Sequence, residues 1–232
     1  MALRTPSTQT DFVPISVDEF RFRTTIDLSK IPGCEQIGWI VSPKDIARVE
    51  SVVVMPDHYR DKLLSSISLS FNRAQKPYCE HEVHLRMTDP SSLVLGQKFV
   101  YRPNYISIVE GFRDTFKGFG MMRGFTRFLA CLIIGTTQSG ESVLGHYLPP
   151  IVEKHGDRLI LMDGVHRNYL ARQAGISIEC LVVENVEVPF PCTPHPWYDV
   201  SVIEQKPADA KNRYWDLEKS LFRDTKYVGI DG

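Results

Sequence analysis

The sequence predicts a protein of the α/β (α+β) class, and three observations lead to this class. Short β-branched runs bounded by turn residues occur at 37–41 and 51–55, which is the pattern of strands. Apolar residues then recur near helical spacing after Pro56, which predicts a helix. Between Tyr147 and Glu187 the predicted order is strand, hairpin, strand, tight turn, helix and strand. Strand and helix patterns therefore alternate along the chain.

The composition is that of a globular protein and argues against two classes. Of the 232 residues, 43% are hydrophobic and 24% are charged. A formal net charge of -1 gives no electrostatic footprint of a non-specific DNA binder, so DNA is possible but not favoured as a partner. No apolar run approaches the roughly 18 residues of a membrane span, and the N-terminus lacks a signal-peptide pattern. We therefore expect a cytoplasmic protein with no membrane partner and, from its five scattered cysteines, reduced thiols.

The middle of the chain contains a predicted strand region and predicted helices. Residues 99–108 have strand composition. Glycines interrupt the segment from Glu110 to Ile134, which predicts two shorter helices rather than one long helix. The polar residues 135–145 are expected to form a mobile flap.

The C-terminal region begins with a cluster of prolines after Val188, which excludes regular structure there. Trp197 and Tyr198 follow the cluster. We expect Trp197 to anchor the irregular loop onto the core, with stacking on a nucleotide base as the alternative. A helix is predicted from Ala208 to Phe222.

The turn Asp163-Gly164-Val165-His166-Arg167 has the composition of an anion site. Gly164 permits a tight exit from the preceding strand, and the first amides of the following helix have no intrahelical acceptor. Arg167 offers a planar fork for phosphate oxygens, and His166 can donate from either ring nitrogen. Cations at a helix N-terminus are unfavourable unless an anion is bound there. The turn therefore predicts a phosphate site.

Asp163 has two possible roles at this turn. Its carboxylate could bind Mg²⁺ or accept a proton from an attacking hydroxyl group. Alternatively, Asp163 is the N-cap of the following helix, since aspartate is among the commonest N-cap residues.

The region around this turn resembles the core of the ParB/sulfiredoxin superfamily. The matching features are the strand entry at 149–152, the hairpin, the Asp-Gly-x-His-Arg turn and the helix-Gly-strand that follows. The turn is similar to that of ParB-like free serine kinases and of DGQHR-type proteins of DNA modification systems. The resemblance divides the chain into an N-terminal elaboration (1–98), a nucleotide-binding core (99–190) and a C-terminal extension (191–232).

The resemblance implies roles for individual residues. His166 and Arg167 would hold the phosphates of ATP or a related nucleotide, with the backbone of Gly164 and Val165. Asp163 would be catalytic or linked to Mg²⁺, and His166 would share the catalytic role. The phosphate-binding set would also include Asn168. In sulfiredoxins a cysteine stands where this chain has Val165, so reduction of sulfinic acids is not expected. The kinases also use a glutamate that is distant from the turn in sequence, and Glu110 is the candidate for that role in this chain.

Two functions follow from the turn and the resemblance. The first is an enzyme that binds ATP or a related nucleotide with Mg²⁺ and transfers or hydrolyses a phosphoryl group, with an acceptor that the sequence does not identify. The alternative is a non-catalytic nucleotide- or DNA-binding regulator of a DNA modification, defence or segregation system.

Other clusters of polar residues are weaker candidates. The segment from Cys79 to His84 carries metal-capable side chains, but their spacing matches no structural zinc pattern. The pair Cys192 and His195 is weaker still. Four further residues could complete the phosphate site, although solvated or structural roles are more common for such residues: Arg123, Arg127, His146 and Tyr147.

Overall fold

The computed structural model describes residues 13–107, 109–110 and 129–230. The described helices are α1 (Val17–Thr24), α2 (Asp57–Ser65), α3 (residues 102–107) and α4 (Val165–Gln173). The described strands are β1 (Ile15–Ser16), β2 (Trp39–Ile40), β3 (Arg48–Val54), β4 (Val83–Thr88), β5 (Val94–Leu95), β6 (Phe99–Tyr101), β7 (Cys131–Thr136), β8 (Ser142–Tyr147), β9 (Ile151–His155), β10 (Arg158–Leu161), β11 (Ile178–Val183), β12 (His195–Pro196) and β13 (Ser201–Ile203). The chain therefore belongs to the mixed α+β class, as predicted.

The strands form two larger sheets and a small parallel pair. The five-stranded sheet has the order β1-β2-β8-β7-β3, and the six-stranded sheet has the order β12-β5-β10-β9-β11-β4. Strands β6 and β13 pair with each other. One hydrophobic cluster contains side chains from both larger sheets and from α1 and α2. A second cluster packs α4 against the six-stranded sheet.

Strand β7 lies where the sequence predicts a helix. Leu132 and Ile134 belong to the cluster shared by both sheets, whereas Cys131 and Ile133 belong to a third cluster on the opposite face. A strand that is covered on both faces is continuously apolar, so it lacks the alternation that distinguishes strands from helices. The helix prediction is therefore wrong for 131–134, and the remainder of the predicted helical segment lies mostly outside the described residues.

The loop predicted over 135–145 is shorter in the structure, because 135–136 belong to β7 and 142–145 belong to β8, which leaves 137–141 as the turn of a hairpin. Two hydrogen bonds close the turn. Thr137 N donates to the Glu141 carbonyl at 3.0 Å, and Glu141 N donates to Thr137 Oγ1 at 3.2 Å. Gly135 lies in β7, where an added Cβ would lie 2.2 Å from the carbonyl oxygen of Arg48 in β3. The glycine at this position serves close strand contact and not loop mobility.

The region with the clearest sequence pattern folds as predicted. Strands β9 and β10 form a hairpin with Gly156 at φ +60°, and α4 follows β10 directly. After α4, Gly175 adopts φ +65° and β11 returns parallel to β9. The order of strand, hairpin, strand, turn, helix and strand is thereby confirmed.

The predicted N-terminal elaboration shares sheets with the predicted core. Strand β4 pairs with β11, β5 pairs with β10, and β3 pairs with β7. The division predicted at residue 98 therefore crosses both larger sheets.

One predicted strand is shorter in the structure, and one predicted helix is wrong. The strand predicted over 99–108 ends at Tyr101, and α3 begins at Arg102, because Pro103 is tolerated in the first turn of a helix. The helix predicted from Ala208 to Phe222 is wrong. This segment contains two short 3₁₀ turns and uses its backbone elsewhere, for example in the bond from Trp215 N to the Gly96 carbonyl (3.0 Å).

A fully buried ion pair holds the C-terminal segment on β9. Arg223 and Glu153 are both 0% exposed. Arg223 Nε and Nη2 donate to the two carboxylate oxygens of Glu153 at 2.8 and 2.9 Å. Glu153 also accepts from Tyr78 Oη at 2.5 Å and hydrogen-bonds His155 Nε2 at 2.7 Å. The remaining donors of Arg223 reach three backbone carbonyls, those of Val188, Pro189 and Leu221. Every donor of this guanidinium is therefore used, which is what a buried charge requires.

Candidate functional site

The candidate site lies at the N-terminus of α4, where the chain leaves β10. Gly164 is the N-cap residue, at φ +86°, and no side chain caps the helix. An added Cβ on Gly164 would lie 2.7 Å from Cβ of Pro150. The tight exit predicted for Gly164 is therefore present. The alternative in which Asp163 is the N-cap is wrong.

Arg167 faces the interior of the protein. It is 8% exposed, and its Nη1 donates to the Leu148 carbonyl and, at 2.9 Å, to Tyr147 Oη. Its Nη2 lies 3.5 Å from Asp163 Oδ2. Because these contacts occupy the guanidinium, Arg167 joins α4 to the end of β8 and does not present its planar fork to solvent.

His166 is held in one tautomer. Its Nε2 accepts a hydrogen bond from the Tyr101 backbone N–H at 3.2 Å, so the neutral ring carries its proton on Nδ1. Burial, followed by the positive charges of Lys44, Lys206 and Arg167, lowers the pKa of His166 to about 4. At neutral pH this side chain therefore donates through Nδ1 alone, and not through either nitrogen as the sequence suggested.

The side chains of Asp163 and Asn168 are both buried. Asp163 is 7% exposed and is paired with Arg167, and Asn168 is 0% exposed and donates from Nδ2 to the Gly164 carbonyl at 3.1 Å. Within residues 13–107, 109–110 and 129–230 no group of three His, Cys, Asp or Glu side chains is arranged to hold a metal ion. The buried, paired carboxylate of Asp163 does not fit a site for Mg²⁺, whose ligands include exposed carboxylates and water.

Two lysines that the sequence did not indicate lie near the turn. Lys44 belongs to the 3₁₀ turn Pro43–Asp45, and Lys206 follows β13. Both are exposed, and both are close enough to His166 for their charges to lower its pKa. Gly164 and His166 are themselves partly exposed. No local pattern could identify these lysines, because they come from separate regions of the chain that only the tertiary fold brings to α4.

The aromatic residues after the proline cluster have different environments. Trp197 is 5% exposed, and its Nε1 donates to the Pro90 carbonyl at 2.6 Å, so the predicted anchor is confirmed and stacking of Trp197 on a base is wrong. Tyr198 is 84% exposed. Nearby, His195 Nδ1 hydrogen-bonds Asp199 at 2.9 Å, and Cys192 is buried. Cys192 and His195 therefore do not form a metal site together.

The other weak candidates are dispersed. His146 is buried, with Nδ1 donating to the Gly229 carbonyl (3.2 Å) and Nε2 bonded to Tyr59 Oη (2.6 Å). Glu110 is exposed, and residues Glu80 to His84 line an open groove of about 440 Å³. Arg123 and Arg127 lie outside the described residues. Of the two such residues that the structure describes, Tyr147 lies beside the turn, through its contact with Arg167, and His146 does not contact it.

The fold and the turn together define an α+β protein with a closely packed strand-to-helix junction at the start of α4. No protein-family model, no curated protein and no solved structure matches the chain. No helix in the described part of the chain has the length and apolar character needed to cross a membrane.

Proposed function

We propose that this protein binds the phosphate group of a nucleotide at the N-terminus of α4. The ligand would be held by the first amides of the helix, by Nδ1–H of His166 and by the charges of Lys44 and Lys206. The observation that carries the proposal is that two exposed lysines are close enough to the neutral imidazole of His166 to lower its pKa, at a helix N-terminus that no side chain caps.

The phosphate contacts in this proposal differ from those implied by the resemblance to the ParB/sulfiredoxin superfamily. There, the motif arginine is expected to hold phosphate, but Arg167 is buried against Tyr147, Leu148 and Asp163. The positive charge in the proposed site comes from Lys44 and Lys206, which act on an anion as point charges. The superfamily assignment is part of the proposal, and it rests on the turn and on the confirmed order of elements around it.

Binding is proposed ahead of phosphoryl transfer. A catalytic base must reach the proton that it abstracts, yet the carboxylate of Asp163 is buried and paired with Arg167. His166 cannot accept a proton at Nε2 without losing its bond to Tyr101. If the protein converted ATP to ADP or AMP in the presence of Mg²⁺, the hypothesis that it is an enzyme would be favoured instead. A non-catalytic nucleotide-binding regulator is the function that these contacts favour.

The test measures nucleotide affinity in a double lysine variant. Titration calorimetry with ATP, ADP, AMP and pyrophosphate should show binding to the native protein. The variant Lys44→Ala/Lys206→Ala should bind at least about tenfold more weakly, since each lysine close to a phosphate contributes a charge-assisted contact. Arg167→Ala is a poorer test, because it leaves Asp163 buried without its cation.

A matched control is Lys62→Ala, which removes an exposed lysine of α2 and leaves the residues of the proposed site unchanged. Its affinities should equal those of the native protein. Equal affinities in the double lysine variant, or the absence of binding to every tested phosphate compound, would contradict the proposal. Formation of ADP or AMP by the native protein, abolished in Asp163→Asn, would instead identify an enzyme.

A further inference from the structure

A second surface, remote in sequence from the α4 turn, combines exposed aromatic rings with cations. The turn Lys226–Val228 packs against α1, and Arg23 of α1 lies over the ring of Tyr227, with its Cζ 4.4 Å from the centroid. Arg73 lies over the same ring at 5.0 Å. Tyr227 is itself 43% exposed, so two guanidinium groups and one partly open ring meet at the surface.

Two further rings belong to residues near these arginines in the chain and are among the most exposed apolar side chains of the described residues. Phe22 is 83% exposed and precedes Arg23 in α1, and Phe71 is 74% exposed and lies two residues before Arg73. The loop that carries Phe71 is fixed beside the C-terminal segment, because Ser70 N donates to the Phe222 carbonyl at 2.8 Å. We name these residues the aromatic–arginine patch: Phe22, Arg23, Phe71, Arg73, Lys226 and Tyr227.

The charges of the patch have an excess of cations. Arg23 is paired with Glu19, and the half-buried carboxyl of Asp224 faces Arg23, Arg73 and Lys226. Neither Arg73 nor Lys226 has a carboxylate within ion-pair distance among the described residues. Two copies of the patch placed face to face would oppose like charges, which disfavours self-association. The occupant of the patch therefore carries negative charge.

We propose that the aromatic–arginine patch binds single-stranded nucleic acid, with bases stacking on the exposed rings of Phe22 and Phe71 and phosphates facing Arg73 and Lys226. Exposed rings interleaved with cations are the combination by which single strands are bound without sequence preference. An acidic peptide would satisfy the cations, but it would leave the open ring faces without planar groups to stack on them.

The experiment measures fluorescence anisotropy of a dye-labelled oligothymidylate of ~12 nucleotides, a length within the range of single-strand sites. The native protein should bind, and Phe22→Ala/Phe71→Ala should weaken binding by about thirtyfold or more, as expected for the loss of two base-stacking contacts. Arg73→Ala should weaken binding and reduce the salt dependence of the affinity by about one ion. Both variants alter exposed side chains, so circular dichroism should show native folding.

Tyr198→Ala is the matched control, since Tyr198 is an aromatic residue of similar exposure that lies outside the patch. It should leave the affinity for oligothymidylate unchanged. Three outcomes would overturn the proposal: no binding by the native protein at low salt, an undiminished affinity in the double phenylalanine variant, or displacement of the oligonucleotide by polyglutamate at equal charge. The last outcome would identify an acidic protein partner. None of these variants alters Lys44 or Lys206, so failure here is distinguishable from failure at the α4 site.

Discussion

His166 shows how one hydrogen bond decides the chemistry of a residue. Its bond from the Tyr101 N–H fixes the proton on Nδ1 and links α4 to β6. His146 is a second buried neutral histidine, between Tyr59 and the Gly229 carbonyl, and burial lowers its pKa to about 4. Both imidazoles therefore act as uncharged hydrogen-bonding groups in the folded protein.

The two histidines predict an acid-dependent loss of stability. Their folded pKa values, about 4, lie below the value near 6.5 expected in an unfolded chain, so the unfolded chain binds more protons between these pH values. Their contribution is fully present above pH ~6.5 and is lost as the pH falls towards ~4. Urea unfolding between pH 7 and 5 should show each histidine contributing up to about 1 kcal/mol per pH unit. His146→Gln or His166→Gln should reduce that slope, whereas His58→Gln, at an exposed position, should not.

The residues of the turn were predictable as a group but not in their individual roles. Gly164 could be assigned from the sequence because glycine readily adopts the positive φ of a tight exit from a strand, and it has φ +86° here. The direction of Arg167 could not, because it depends on Leu148 and Tyr147 at the end of another sheet. The same limit applies to Lys44 and Lys206, whose proximity to the turn is a property of the tertiary fold.

At the scale of elements, the junction between β10 and α4 depends on close packing. Pro150 precedes β9 and lies against Gly164, and the Met162 and Asp163 amides both donate to the Ile151 carbonyl, at 2.8 and 3.1 Å. The turn is thereby held against the start of the hairpin that precedes it.

Gly164→Ala is expected to destabilise the protein by about 2–4 kcal/mol. A Cβ at this position adds left-handed backbone strain to an overlap with Pro150. Gly156→Ala is the matched control, because Gly156 also has positive φ but no atom within 4 Å of the added Cβ, so only about 1 kcal/mol should be lost. Chemical denaturation of both variants measures the difference. Equal losses would show that contact with Pro150 contributes nothing.

The elements that were predicted correctly have sequence patterns that are complete within a few neighbouring residues. The β9–β10 hairpin, α4 and β11 combine turn glycines with a clear period, and α2 has Tyr59 and Leu63 buried at helical spacing. Strand β7 was mistaken for helix because burial on both faces removes its period. The segment 208–222 was mistaken because its backbone bonds to distant loops, such as Trp215 to Gly96, which no local propensity records.

At the scale of the whole molecule, the pair of Glu153 and Arg223 joins the chain end to the six-stranded sheet. Burial, together with the neighbouring charge of Glu153, raises the pKa of Tyr78, which therefore remains a donor to this carboxylate. The five polar contacts of Arg223 show why a fully buried guanidinium is tolerated here.

Arg223→Met is expected to cost about 3–5 kcal/mol of the free energy of unfolding, because it leaves the charge of Glu153 buried without a cation. The double variant Glu153→Gln/Arg223→Met should lose less than the sum of the two single variants, since neither charge then remains. A double-mutant cycle from urea denaturation measures this coupling. A coupling near zero would mean that the pair does not stabilise the fold.

The position of Arg223 along the chain has a consequence for biosynthesis. Glu153 leaves the ribosome 70 residues before the guanidinium that neutralises it. Until those residues have been translated and have emerged from the exit tunnel, the carboxylate has no cation with which to enter the interior. In the nascent chain the six-stranded sheet can therefore close around a paired Glu153 only after Arg223 has emerged, and a message truncated before codon 223 would yield a product that leaves this carboxylate without its cation.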